Sequence, residues 1–161
     1  MTLGVNNLAE QKYKQWLDKH NIPYWYIQQD LDTFSSVLKK YMTKRPDFLV
    51  LIPNFGFIIV DVKDKEPAVK YEKFFINAEE VEKYVNLQRI FNLQSWYVIS
   101  SEKYHFRTWF WIPIVNILKG GFIFEPKDNK DKCYSIPISE FIQVSEDDSL
   151  ERVFSKLLTL K

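Results

Sequence analysis

The chain has 161 residues, enough for one domain with a real core and not obviously for two. Hydrophobic residues make up 46% and charged residues 27%, with 22 Lys and Arg against 21 Asp and Glu for a formal net charge of +1. This is an ordinary globular composition without a global basic field, which excludes a chain that coats nucleic acid indiscriminately but leaves room for a local basic patch. Cys133 is the one cysteine. An intrachain disulfide and a cysteine-based zinc site within one chain are therefore excluded, and a reducing, cytoplasmic setting is the simple expectation. Residues 1–10 are too polar for a signal peptide. The longest apolar stretches, 48–60 and 109–118, are broken by Pro53 and Asn54 or by Pro113 and Asn116, so no membrane span is expected.

In chain order, Asn6 or Asn7 caps a helix running to about His20, with Ala9, Tyr13, Trp16 and Leu17 as its apolar arc and Asn21-Ile22-Pro23 as its stop. Residues 24–28 read as a strand, and 30–41 are ambiguous between helix and loop. Residues 48–52 and 57–60 are apolar strand-forming runs around Pro53-Asn54-Phe55-Gly56, a β-hairpin. A charged loop with Pro67 leads to a short extended segment at 70–76. Asn77-Ala78-Glu79-Glu80 has capping-box spacing and opens a helix with Val81, Tyr84, Val85, Gln88 and Phe91 or Asn92 on one face. Strands are expected at 95–100 and 106–114. Lys119-Gly120-Gly121 reads as a turn before 122–124, and 128–132 as a polar loop. Residues 136–144 begin extended, and 148–160 close the chain as an amphipathic helix. With no repeat and no linker, this order predicts one α/β domain around a mixed sheet.

The hairpin carries the chemistry. Pairing Ile52 with Gly56 sets a register in which Asp47 stands opposite Asp61, with Lys63 two residues along on the same face. Two like charges facing each other on a largely apolar sheet are unfavourable, so a positive species between them is expected, and a divalent metal ion is the leading candidate. Aspartates are hard oxygen ligands of the type Mg²⁺ and Mn²⁺ prefer. A neighbouring ammonium can orient water or neutralise charge on a phosphoryl group. Together these parts suit phosphodiester hydrolysis. The alternative is that Asp47 and Asp61 end strands at a solvent edge and Lys63 is their salt bridge.

Arg45-Pro46-Asp47 followed by Asp61-Val62-Lys63 across an apolar hairpin, with one helix before and another after, resembles the PD-(D/E)XK nuclease superfamily. The resemblance covers roughly residues 8–100 and is nearest to the small Holliday-junction-resolvase-like members. It implies a restriction-endonuclease-like core, a mixed central β-sheet flanked by helices, and a Mg²⁺- or Mn²⁺-dependent endonuclease acting on DNA. It further implies Asp47 and Asp61 as metal ligands, Val62 as a ligand through its carbonyl, and Lys63 as the catalytic lysine. Glu10 on the first helix becomes a further metal ligand, and Gln88 on the second a contact to the site or substrate. For both, a plain structural reading stands alongside. Glu10 has capping-box spacing from Asn7, and Gln88 fits a half-buried glutamine satisfied by backbone.

Lys39, Lys40, Lys44 and Arg45 form a basic run leading into Asp47, read either as a rim that binds the nucleic-acid backbone or as a solvated charge run. Lys65 is similarly a phosphate contact or an exposed strand-end lysine. Trp109, Phe110 and Trp111 fit a core strand better than a stacking platform, and His20 and His105 read as structural. No phosphate-cradling glycine motif occurs. The implied partners are branched or duplex DNA, with RNA left open, and a second copy of the chain in a symmetric dimer. The competing class is a catalytically silent nuclease-fold module that binds nucleic acid or a protein partner.

Overall fold

The computed structural model describes residues 8–27, 34–127 and 131–148, with Val153 and Ser155 beyond them. Helix α1 (Leu8–Lys19) buries Ala9, Tyr13, Trp16 and Leu17, the predicted apolar arc, and Glu10 with them. Asn21 adopts the left-handed conformation that ends the helix (φ 55°). Strand β1 (Tyr24–Tyr26) and a short helix α2 (Ser36–Lys40) precede the hairpin of β2 (Phe48–Ile52) and β3 (Gly56–Asp64). The hairpin has the predicted register, from Ile52 opposite Gly56 to Phe48 opposite Val60. Its turn needs positive φ at Asn54 (64°) and Gly56 (114°), residue types that tolerate it.

Next come β4 (Lys73–Asn77), α3 (Ala78–Phe91), β5 (Ser95–Ser100), β6 (Thr108–Pro113), α4 (Ile114–Gly120), β7 (Phe122–Phe124), β8 (Cys133–Pro137) and β9 (Ile142–Ser145). The main sheet has six strands in the order β1-β2-β3-β5-β6-β9. The β3–β5 pair is parallel and the other pairs are antiparallel.

The architecture departs from the sequence reading in two places. β4, β8 and β7 form a separate three-stranded sheet; the segment at 70–76 read only as extended, and its partner strand β8 lies far along the chain. The expected turn at 119–121 is instead the end of α4, a helix short enough that Ile114 and Ile117, one turn apart, are its whole buried face. The predicted helix at 148–160 falls largely outside the described residues.

Two cores sandwich the main sheet. On one face α1 packs on Phe48, Val50, Val60, Val62, Trp96, Trp109 and Trp111. On the other, α3, α4 and the small sheet cover Ile59, Tyr97, Ile99, Phe110 and Ile112. Trp109, Phe110 and Trp111 are all buried, as a core strand requires. His20 bonds the carbonyls of Trp16 (2.8 Å) and Glu146 (3.1 Å), a structural role. Among the described residues no helix is long and apolar enough to cross a membrane.

Burial separates the tryptophans sharply. Trp111 is fully buried against Tyr13, Trp16 and Trp96, whereas Trp25 is 65% exposed and meets Phe57 in a surface stack. Trp111→Ala is expected to cost about 3–5 kcal/mol and Trp25→Ala less than about 1 kcal/mol, read by urea denaturation.

Candidate active site at a strand fork

β2 pairs with β3 only as far as Phe48 opposite Val60. One residue before, Asp47 N still donates to Val60 O at 3.1 Å. Beyond that, β3 continues to Asp64 with β5 on its other edge alone. Backbone groups along a strand alternate between its two edges. Ile59 N and Lys65 N donate toward β5, to Gln94 O (2.8 Å) and Ser100 O (3.1 Å). Val62 faces the opposite edge, where β2 has run out. Asp47 fills the gap: its Oδ2 accepts from Val62 N at 2.8 Å. A residue's N–H and C=O share an edge in extended backbone, so the Val62 carbonyl also faces the fork.

Asp61 and Lys63 lie on the face of β3 covered by α3. Asp61 is 3% exposed. Its Oδ1 accepts from the Tyr84 hydroxyl and lies 3.6 Å from Lys44 Nζ. Lys63 Nζ is 3.2 Å from Oδ2, an ion pair without hydrogen-bond alignment, so this buried oxygen has no hydrogen-bond donor. Glu80, at the start of α3, ties the two lysines together. It bonds Lys63 Nζ at 2.6 Å and Lys44 Nζ at 2.8 Å, and accepts from the Tyr97 hydroxyl at 3.1 Å. Burial works to lower the Lys63 pKa, but Asp61 and Glu80 together raise it. Burial likewise opposes ionisation of Glu80, and Lys63 and Lys44 outweigh it.

Glu10 arrives from the other face of the sheet. Its Oε2 accepts from the Tyr26 hydroxyl at 2.6 Å, and its carboxyl stands close enough to that of Asp47 to disfavour a second negative charge there. Burial first, then Asp61 and Glu10, push the Asp47 pKa up to about 9 against the opposing Val62 N–H. A carboxyl pushed up that far keeps its proton at neutral pH.

Of the residues singled out in the sequence, Glu10, Asp47, Asp61, Lys63 and Lys44 come together here, with the Val62 carbonyl. Gln88 does not join them: it sits two turns past Glu80, and its Oε1 accepts from Ser95 N at 2.8 Å, the backbone-satisfied alternative. Lys65 turns away to donate to Phe75 O at 2.8 Å. Arg45 lies over the Phe34 ring, 5.4 Å from its centroid. With Lys44, Glu80 and Lys83 it lines a cavity of about 490 Å³ beside the fork. Sequence reading missed Glu80, Tyr84 and Tyr26. Glu80 was read only as the capping-box partner of Asn77, and Asn77 Oδ1 does accept from its N–H at 3.0 Å. The usable signal was the i, i+4, i+8 spacing of Glu80, Tyr84 and Gln88, which lays a polar ladder along the sheet-facing side of α3.

Among the described residues, no three His, Cys, Asp or Glu side chains are gathered so as to hold a metal ion as they stand. The donor chemistry nonetheless fits a hard divalent cation. The fork offers carboxylate and carbonyl oxygens alone. The proton that Asp47 retains beside Glu10 and Asp61 marks a place short of positive charge.

The fold is similar to that of Hjc, a Holliday junction resolvase from the archaeal hyperthermophile Archaeoglobus fulgidus, with a TM-score of 0.55 at 13% identity over 88% of this chain and 92% of that one. The chain has a restriction-endonuclease-like fold. D212, a nuclease from a fusselovirus, overlays with a TM-score of 0.47 at 14% identity, covering 94% of this chain and 89% of that one. No protein-family model and no curated protein matches the sequence.

The Asp47 proton has a stability consequence. Its folded pKa of about 9 exceeds the ordinary 3.8, so its contribution is fully present below about pH 4 and is lost as pH rises toward 9. Asp47→Asn keeps the neutral shape. In EDTA, the variant's stability relative to wild type is expected to increase from pH 5 to pH 9, by up to about 1.4 kcal/mol per pH unit. Thermal melts of the pair across that range measure it, and parallel curves would contradict it.

Proposed function

We propose that the chain is a Mg²⁺- or Mn²⁺-dependent endonuclease that hydrolyses DNA phosphodiester bonds. The observation that carries this reading is the meeting of Glu10, Asp47, Asp61 and Lys63 at one strand fork, in a fold similar to that of a Holliday junction resolvase. On this reading the chain is a working member of the PD-(D/E)XK superfamily that its hairpin resembles.

Asp47, Asp61 and Glu10 would hold the cation, with the Val62 carbonyl as a backbone donor. When bound, such an ion supplies Lewis acidity toward a phosphoryl oxygen and makes a water molecule more acidic. The chain's own residues do the rest. Lys63, held between Glu80 and Asp61, directs its ammonium at the attacking water and at negative charge building on the phosphoryl oxygens. Glu80 keeps that ammonium in place and Tyr84 keeps Asp61 in place; both are positioning residues. Lys44 and Arg45 border the cavity beside the fork, where a phosphate backbone would approach. A symmetric dimer would present two such sites to the two strands of a duplex or junction.

The test is incubation with branched, duplex and single-stranded DNA, and with RNA, in Mg²⁺ or Mn²⁺. The wild type is expected to cleave at least one DNA. Asp61→Ala and Lys63→Ala, checked for folding by circular dichroism, should each lose about a hundredfold or more. Equal cleavage by all three proteins sinks the reading. Binding to DNA without cleavage under any condition would replace it with the catalytically silent module.

A further inference from the structure

A near-neutral chain that acts on a polyanion needs its positive charge gathered locally. One gathering lies outside the fork. On the far flank of α1, Lys12, Gln15 and Lys19 face His105 and Arg107 from the turn before β6 and Glu146 after β9, around a cavity of about 320 Å³. Three permanent cations meet one carboxylate there, while the whole chain carries only +1. Glu146 holds Lys19 at 2.7 Å and Arg107 Nε at 3.5 Å. Lys12 makes no ion pair among the described residues.

The turn that supplies Arg107 is built with unusual backbone. His105 and Phe106 are consecutive non-glycine residues in the left-handed region (φ 51° and 50°), a conformation that persists only where its surroundings over-determine it. Phe106 is buried and packs near Trp109 at 6.2 Å between ring centroids, which pins the turn. His105 and Arg107 on either side are left at the surface, facing α1.

We propose that this cavity is a second phosphate-binding site that grips the sugar–phosphate backbone of the nucleic-acid substrate away from the scissile bond. The proposal rests on the nuclease reading and deepens it. Helix α1 links the two places: Glu10 projects from one flank into the fork, and Lys12 and Lys19 project from the other. A helix with its side chains is about 10–12 Å across, a span that a sugar–phosphate backbone crosses within a few nucleotides. A strand with its reacting phosphate at the fork brings a later phosphate to Lys12 and Arg107. The open, water-facing placement suits contact with a backbone and not readout of base edges.

Binding of a short fluorescein-labelled DNA duplex, followed by anisotropy in EDTA over a salt series, tests this without cleavage. Lys12→Ala and Arg107→Ala together should weaken binding about tenfold or more and flatten the slope of log affinity against log salt by about one to two. Glu146→Gln, which releases Lys19 and Arg107, should tighten binding. Lys119→Ala on α4 should leave it unchanged. If the wild type binds and the double variant matches it in affinity and slope, the second site is wrong while the nuclease reading stands. If the wild type neither binds nor cleaves any DNA, both fall.

Discussion

The hydrogen bond from Val62 N to Asp47 Oδ2 is the constraint on which the site depends. Where β2 leaves β3, the next backbone donor on that edge of β3 would be buried without a partner, a cost comparable to a lost hydrogen bond. A side-chain carboxyl takes over from the missing strand. That substitution draws Asp47 into the interior, beside Asp61 across the hairpin register, and turns the Val62 carbonyl to the same side. A short acidic side chain at the point where pairing stops thus does two things at once. It ends the ladder without an orphan amide, and it places an oxygen donor among other oxygen donors.

The electrostatics follow from that placement. Three carboxyl groups at the fork face two lysines, and Glu80 draws both lysines partly toward itself. The acidic side of the fork is left short of positive charge, and protonation of Asp47 is how the isolated chain relieves the shortage. An arrangement of this kind is not the most stable way to fill the space. Local rules broken at a site while the rest of the chain obeys them are the ordinary mark of a functional position. Here the surrounding elements are conventional: apolar arcs on the helices, alternating strands and a capped α3.

Much of this was visible in the chain itself, for identifiable reasons. The hairpin register followed from a tight turn between two apolar runs, and register alone placed Asp47, Asp61 and Lys63 together. Periodicity marked the face of α1 because Ala9, Tyr13, Trp16 and Leu17 repeat at helical spacing. What periodicity could not supply was the identity of distant partners. Pairing of β4 with β8 spans some sixty positions of sequence, and neither strand says which sheet it joins. That Glu80 reaches the fork and Gln88 does not has a similar cause. Both lie on one face of α3, but which of them reaches the fork depends on the direction in which α3 crosses β3 and β5. Helix and strands run in opposite senses, so Gln88 meets Ser95 at the beginning of β5, Tyr84 meets Asp61, and Glu80 meets Lys63 farther along.

That opposed arrangement also joins the site to folding. Glu10 reaches the fork only when α1 is packed on one core. Glu80 and Tyr84 reach it only when α3 is packed on the other. The sheet between them is close-packed on both faces, and such interiors transmit displacement instead of absorbing it. The fork is therefore a reporter of both layers: a core change on the α1 side moves the Glu10–Asp47 half, and one on the α3 side moves the Asp61–Lys63 half. Asp47, bonded to the backbone of β3 itself, stands where the two halves meet.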